Sequence, residues 1–300
     1  MANLRDIRRR IKSVKNTAQI TKAMQMVAAT KMRRAQQAAL ALRPYADRLD
    51  TMAAHLYASI GPDEVSHPLL RKRTTNGKTA VIVLTSEKGL CGPLNTNLLR
   101  EVLRHDDASK VYISVGRKGR QTLARLKKNL LADFELKDSP SFTECKTISR
   151  FVIQKFEEKA FDAVEIYYNR FVNTLAQIPT RFPLVPIGSE ELAAAKAKGA
   201  TERAEKNHPI TPAASVTYNF EPDTAELLGK LLPYYIHLLV YEKILDSRAS
   251  EHSARMVAMK SATDNAKQLV KDLTLEYNKA RQAAITNEIL EISSAAATLS

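Results

Sequence analysis

Apolar and small side chains recur at alternating steps of three and four residues from about Asp223 to the end of the chain. Only Glu242, His252 and Thr263 break this series. Its members are Leu228, Leu231, Tyr235, Leu238, Leu245, Ala249, Met256, Met259, Ala266, Val270, Leu273, Tyr277, Ala280 and Ala284. A period near 3.5 held over this length predicts one long helix with a narrow apolar seam. Such a seam needs a partner helix to cover it.

The beginning of the chain has the same spacing and predicts that partner. Its seam consists of Leu4, Ile7, Ile11, Val14, Ala18, Thr21, Gln25, Ala28, Met32, Ala35, Ala39 and Leu42.

 The two terminal helices are therefore predicted to wind on each other as an antiparallel coiled coil, with Leu4 near the level of Tyr277. Pro44 and Pro233 then fall at the same height, where each is expected to interrupt and kink its helix.

The middle of the chain changes to short β-branched runs that alternate with helical segments. Strands are predicted at Ala80–Leu84, Val111–Val115 and Val164–Tyr168, with Thr217–Phe220 as a further candidate. Helices are predicted at Leu94–Leu103, Arg120–Leu126 and Phe151–Lys159. Strands that alternate with helices are typical of βαβ units in a mostly parallel sheet.

The predicted fold class is therefore mainly α with an α/β insertion. A long antiparallel two-helix coiled coil, formed by the N- and C-terminal helices, carries an inserted small Rossmann-like α/β domain. The predicted boundaries are 1–58 for the first helix, 75–220 for the α/β domain and 222–300 for the last helix. Residues 189–215 are rich in Ala and Lys and closed by prolines, which predicts a mobile excursion from the domain.

Charge adds a binding surface to this picture. The chain has 46 Lys and Arg against 32 Asp and Glu, a net charge of +14, which favours an acidic partner such as nucleic acid, an anionic membrane surface or an acidic protein. The first helix concentrates this charge, and Asp6 is the only acid near its start. Its basic residues are Arg5, Arg8, Arg9, Arg10, Lys12, Lys15 and Lys22. Most of them lie off the apolar seam, either as a solvated face or as a contact surface.

No pattern of catalytic or metal-binding residues stands out. Cys91 and Cys145 lack CxxC spacing, and the turn Gly89–Gly92 has neither the P-loop nor the dinucleotide-binding spacing of glycines. We interpret these glycines as the residues of tight strand-to-helix turns, and Cys91 as a packed thiol. No cofactor is predicted, and no apolar stretch reaches the length of a membrane span.

Several long motifs resemble the gamma subunits of the rotary F-type ATP synthases. They are IKSVKNTAQITKAMQMVAATKMRRAQ near the start, RPYA at Arg43–Ala46, TSEKGLCGPLNTN after the first strand, and SEHSARMVAMKSATDNAKQLVKDLTLEYNKARQAAITNEILEI near the end. The resemblance covers both terminal helices and the first strand, and it fits poorly only at about 189–215. Plastid members carry a paired-cysteine insertion for thiol regulation, and this stretch has no Cys, so a dithiol switch is not expected.

The resemblance implies a central rotor shaft that is not itself an enzyme. In this family the coiled coil stands inside a ring of alpha and beta subunits, and the α/β domain sits with the epsilon subunit on the membrane ring of c subunits. Proton flow turns the shaft, which drives ATP synthesis in the ring and regulates ATPase activity and proton flow. By motif, the residues implied in partner contacts are Arg8, Arg9, Lys12, Lys22, Met24, Arg255, Gln282, Thr286 and Glu288.

The location implied is the cytoplasmic face of a bacterial plasma membrane, with an organellar inner membrane as the alternative. A basic coiled-coil protein that binds nucleic acid is the competing interpretation, as in proteins whose basic regions adjoin zippers. Against it, a helix that reads a DNA groove must stand free, whereas this basic helix is predicted to be paired. An enzyme built on the α/β domain would need site residues that the sequence does not indicate.

Overall fold

A computed structural model of the chain describes residues 4–59, 67–70, 77–187 and 224–299. The elements are α1 (Leu4–Ser59), β1 (Thr79–Leu84), α2 (Leu94–Arg104), β2 (Lys110–Val115), α3 (Arg117–Arg125), β3 (Leu130–Phe134), α4 (Phe142–Glu157), β4 (Ala163–Phe171), β5 (Gln177–Val185) and α5 (Thr224–Leu299). They divide into two units. Unit 1 comprises Met1–Thr30 with Arg255–Ser300, and unit 2 comprises Lys31–Ala254.

Unit 1 is the predicted pair of terminal helices. On its α5 segment, burial recurs every three or four residues while the positions between stay mostly exposed. The residues that are buried or half-buried in this rhythm are Met259, Thr263, Ala266, Val270, Leu273, Tyr277, Ala280 and Ala284. On α1 the same rhythm runs through Ile7 and Ala28, which are both almost fully buried. The predicted seam is confirmed, and Thr263 belongs to it instead of interrupting it.

A hydroxyl pair shows the register of the two helices in unit 1. Thr21 Oγ1 lies 2.7 Å from Thr263 Oγ1 across the two helices. The predicted register, with Leu4 level with Tyr277, instead puts a residue near Met259 opposite Thr21. The observed partner, Thr263, lies about one helical turn further along α5. Each of the two hydroxyls also donates within its own helix, Thr21 to the Ala18 carbonyl oxygen and Thr263 to the Met259 carbonyl oxygen.

Unit 2 is built on a five-stranded sheet with the order β3-β2-β1-β4-β5. β1 pairs in parallel with β2 and β4, β2 pairs in parallel with β3, and β5 is antiparallel to β4. The mostly parallel sheet predicted from the alternation of strands and helices is confirmed. β1 is central and covered on both faces, which explains its unbroken apolar run Ala80–Leu84.

The core lies on both faces of this sheet. One face packs against α4, the C-terminal part of α1 and the N-terminal part of α5. The residues in this core include Ile82, Ile166, Phe156 and Ile236. The other face packs against α2 and α3 through a smaller cluster that includes Val83 and Leu98. Unit 2 therefore has the two-sided core expected of an α/β domain.

Three parts of unit 2 differ from the sequence-based prediction. β3 and β5 were not predicted, and α4 begins nine residues before the predicted start at Phe151. β5 contains Pro179 and Pro183, which are tolerated because it lies at the sheet edge and needs partners on one side only. The start of α4 is stabilised by a capping box in which Ser141 and Glu144 satisfy each other's backbone N–H groups.

The two prolines do not end their helices, so the prediction that each interrupts its helix is wrong. Pro44 lies inside α1 and Pro233 lies inside α5. A proline removes one backbone donor. Here a neighbouring turn of each helix is held by the core, which buries Leu49 on α1 and Leu232 on α5. Their predicted equal height is supported by the residues that follow them, because the Tyr45 and Tyr234 hydroxyls are 3.1 Å apart.

The predicted excursion at 189–215 and the candidate strand at Thr217–Phe220 lie outside the described residues. No helix in the described part of the chain is long and apolar enough to cross a membrane.

Candidate interaction surface

The N-terminal half of α1 presents a basic face beside the seam. All of its predicted basic residues, Arg5, Arg8, Arg9, Arg10, Lys12, Lys15 and Lys22, are exposed. Arg9 forms an ion pair with Asp6 at 3.2 Å, and its side chain stays 82% exposed. Lys22 Nζ donates a hydrogen bond of 3.4 Å to Gln25 Oε1. Since Asp6 is the only acid in this stretch, most of the positive charge remains available to an acidic partner.

Met24 lies half-buried at the edge of the seam, next to exposed apolar side chains. Ile20 and Val27, spaced four residues before and three after Met24, are 60% and 53% exposed. Residues at this spacing share one face of a helix. The three side chains therefore form an apolar strip that the isolated chain leaves in water. Sequence reasoning missed Ile20 and Val27, although their spacing around Met24 was the signal.

The part of α5 from 285 to 294 is exposed on every side. Each of these residues is exposed, and Ala284, just before them, is half-buried. Thr286 and Glu288 lie here, Gln282 lies just before this part, and the Thr286 hydroxyl is turned back onto the Gln282 carbonyl at 2.9 Å. A stripe of apolar side chains at helical spacing also lies here and includes Ile285, Ile289 and Ile292. The described residues leave these side chains uncovered, which is typical of a binding surface.

The sequence-predicted contact residues all belong to unit 1. Arg8, Arg9, Lys12, Lys22 and Met24 lie in its α1 segment. The others are on α5, with Arg255 half-buried at the first position of the unit. Unit 1 thus combines positive charge with exposed apolar strips, a combination suited to binding along the helix surface.

The glycine turns of unit 2 are shaped by packing. A Cβ added at Gly116, whose φ is +101°, would lie 2.3 Å from the Thr85 carbonyl oxygen, so only glycine fits there. At the start of α3, the Glu87 carboxylate accepts hydrogen bonds from the backbone N–H groups of Arg117 and Leu136. A protein carboxylate therefore occupies this helix N-terminus, where an anion would otherwise bind.

The two cysteines, Cys91 and Cys145, are both buried free thiols. Cys91 lies 3.3 Å from Asn95 Nδ2 and 3.8 Å from Ser86 Oγ, which confirms that it is a packed thiol. Burial raises the pKa of Cys145 to about 12, so the reactive thiolate is disfavoured. In the described ranges, no group of three or more His, Cys, Asp or Glu side chains could hold a metal ion.

Comparison with known proteins identifies the family of the chain. A family model described as ATP synthase matches residues 3–299. The ATP synthase gamma chain of Methylacidiphilum infernorum is 53% identical over 98% of both chains, and that of Opitutus terrae is 49% identical over 98% of both. A chain in the rotor of the mitochondrial ATP synthase of Euglena gracilis has the same fold, with a TM-score of 0.61 at 19% identity over 94% of this chain and 98% of that one.

The whole length of the chain takes part in these matches, including both units and the segments between the described ranges. The resemblance noted in the terminal helices therefore extends through the α/β domain. The chain belongs to the ATP synthase gamma chain family.

Proposed function

We propose that the protein is the central rotor shaft of a proton-translocating F-type ATP synthase. Unit 1 turns inside the ring of alpha and beta subunits, and the α/β domain binds the epsilon subunit and the membrane ring of c subunits. The shaft has no catalytic role of its own. It couples proton flow to ATP synthesis in the ring, and it regulates ATP hydrolysis and proton flow.

The observation that carries this proposal is the incomplete surface of unit 1. Its helices bury little beyond one seam, while the strip around Met24 and the stripe from Ile285 to Ile292 stay exposed. A free coiled coil gains nothing from such strips, because exposed apolar surface costs about 25 cal/mol per Å² relative to burial. A ring of subunits around the shaft would cover them.

The basic face supports an acidic contact surface on the ring. We propose that Arg8, Arg9, Lys12 and Lys22 face an acidic loop of the beta subunit and that Met24 packs beside it. Near the end of α5, we propose that the upper part of the ring contacts Gln282, Thr286 and Glu288, with Arg255 contacting it from the start of the unit. A single contact of this kind is weak, since exposed ion pairs contribute about 0 to 1 kcal/mol each.

The location proposed is the cytoplasmic face of a bacterial plasma membrane, reached through the partner subunits. The two relatives described above, which are 53% and 49% identical to this chain, are bacterial gamma chains. An organellar inner membrane is the alternative.

Co-purification tests the proposal directly. A tagged chain expressed in its own host should bring down alpha, beta and epsilon subunits together with the c ring after mild detergent extraction. In the purified complex, a probe fixed to the α/β domain should rotate when ATP is added. Recovery of nucleic acid without these subunits would instead favour the competing basic coiled-coil function.

A further inference from the structure

We propose that a short polar segment of α5 locks the rotational angle of this helix within unit 2. The polar collar, as we define it, consists of Asp246, Arg248, Ser250, Glu251 and Ser253. The proposal rests on the rotor function and adds the place where torque enters the helix. A helix that delivers torque must not slip about its own axis, and the collar supplies contacts that resist such slipping.

Arg248 forms the first part of the lock. Its guanidinium donates from Nη1 to Glu251 Oε2 at 2.7 Å and from Nη2 to the Leu136 carbonyl oxygen at 2.9 Å. The side chains of Arg248 and Glu251 are each only 5% exposed. Leu136 lies in the connection between β3 and α4. The bond to Glu251 lies within α5 and orients the guanidinium, whose planar donors point in fixed directions. The bond to Leu136 joins α5 to another element and therefore holds this side of the helix at one angle.

The other members of the collar bind the β4–β5 hairpin. Ser250 Oγ donates to the Asn169 carbonyl oxygen at 2.8 Å, and Ser253 Oγ donates to the Thr174 carbonyl oxygen at 2.9 Å. Asp246 Oδ1 accepts a hydrogen bond of 3.2 Å from the Phe171 backbone N–H. Three consecutive turns of α5 are therefore joined to one hairpin.

These two sets of contacts lie on opposite sides of the helix. At about 100° per residue, Ser250 and Ser253 point in nearly the same direction as Asp246, while Arg248 points about 200° away. Rotation of α5 in either sense would stretch bonds on both sides at once. Hydrogen bonds lose strength steeply when their angles change, whereas apolar contacts have no preferred direction.

Stability alone does not account for the charges in the collar. A buried ion pair often contributes no more than well-packed apolar side chains of the same volume, because both charges must leave water. The neighbouring turns of α5 bury Ile236, Val240 and Ile244 in the core of unit 2. Unit 2 therefore has apolar means of holding the helix, and the collar adds an angular preference that those contacts lack.

The test uses the complete ATP synthase and measures the torsional stiffness of the shaft. The catalytic ring is fixed to a surface, a bead is fixed to the α/β domain, and the thermal spread of bead angles is recorded during a catalytic pause. In the double variant Arg248→Met/Glu251→Gln, the buried charges and the Leu136 bond are removed together. We expect the angular variance to rise at least about twofold, because one side of the direction-specific contacts is gone.

The matched control is Ile244→Val, which removes one buried methyl group from the same helix and no hydrogen bond. It should lower the thermal unfolding midpoint and leave the angular variance unchanged. The proposal is overturned if the double variant keeps the wild-type variance, or if Ile244→Val broadens it equally. Should the double variant not assemble, Ser250→Ala/Ser253→Ala leaves the ion pair in place and is judged by the same criterion.

The wild-type complex separates failure of the lock from failure of the rotor function. If the wild-type bead does not rotate on addition of ATP, the rotor function is wrong. If it rotates and the variants keep its stiffness, only the lock is wrong.

Discussion

The two units of this chain bury apolar side chains in different ways. Unit 2 holds Ile82, Ile166 and their neighbours on both faces of a sheet with no exposed surface. Unit 1 buries one narrow seam and leaves apolar side chains such as Ile20 in water. Unit 2 is therefore stabilised by its own core, whereas the surface of unit 1 is completed by what binds it. Five predictions test this contrast.

The largest expected effect comes from truncating one isoleucine in each unit. Ile166→Ala should lower the free energy of unfolding by about 2 to 5 kcal/mol, because it leaves a cavity in a closed core. Ile20→Ala should change it by less than about 0.5 kcal/mol, because the side chain is exposed. Urea unfolding of the isolated chain measures both. Equal losses in the two variants would contradict the contrast.

The second prediction removes the exposed end of α5. A chain that ends at Ala284 should assemble poorly or lose most proton-driven ATP synthesis, because the stripe from Ile285 to Ile292 is gone. Removal of 294–300 is the control and should leave synthesis nearly intact. The measurement is ATP synthesis in energised membrane vesicles. Full activity of the chain that ends at Ala284 would show that this stripe is not a contact surface.

The third prediction reverses the charge of the basic face. Changing Arg8, Arg9 and Lys12 together to Glu should weaken assembly with the alpha and beta subunits, because attraction to an acidic surface becomes repulsion. The defect should shrink at high salt, since the screening length falls from about 10 Å at 0.1 M to about 3 Å at 1 M. The matched control is the same reversal at Arg100, Arg125 and Lys127, which are exposed residues of unit 2. Equal defects in both triple variants would indicate a general charge effect.

The fourth prediction concerns pH and unit 2. Burial raises the pKa of Asp246 to about 6, so the folded state binds a proton more tightly than the unfolded state. This carboxylate therefore destabilises the fold above about pH 6, and the penalty fades as the pH falls toward 4. Asp246→Asn keeps an oxygen that accepts from Phe171, and it should raise the thermal midpoint at pH 7 more than at pH 4. A gain that is independent of pH would contradict this.

The smallest effect is expected at the hydroxyl pair of unit 1. Thr263 Oγ1 also donates to the Met259 carbonyl oxygen at 2.8 Å, and Thr21 Oγ1 to the Ala18 carbonyl oxygen at 3.1 Å. Each hydroxyl thus keeps a partner if the other is lost. The double variant Thr21→Val/Thr263→Val should change the free energy of unfolding by less than about 1 kcal/mol, as measured by urea unfolding. A larger loss would mean that the pair, and not the apolar seam, holds the register.

Long periodic segments were predictable from the sequence because a seam repeats its signal many times. Both terminal helices and the buried strand at Ala80–Leu84 were predicted this way. β5 was not, because Pro179 and Pro183 argue against a strand unless its place at the sheet edge is known. The early start of α4 was missed although Ser141 and Glu144 spell a capping box.

The sequence predicted the positive charge of the candidate contact surface, but it did not predict which exposed apolar residues belong to that surface. The basic residues of α1 stand out in composition, and the family motifs pointed to Met24 and the end of α5. Arg248 and Glu251 were passed over, because polar residues in a long helix look like its solvated face until the fold brings the Leu136 carbonyl to them. Their role depends on long-range contacts, which local patterns do not encode.

The three- and four-residue rhythm of unit 1 also gives the pair of helices a hand. A repeat near 3.5 on a helix of 3.6 residues per turn drifts by about 20° every seven residues, so the helices wind around each other to the left. Twisting such a pair in one sense tightens it, and twisting it in the other sense loosens it. Synthesis and hydrolysis turn a rotor in opposite senses. The left-handed pair is therefore tightened when the rotor turns in one of these senses and loosened when it turns in the other.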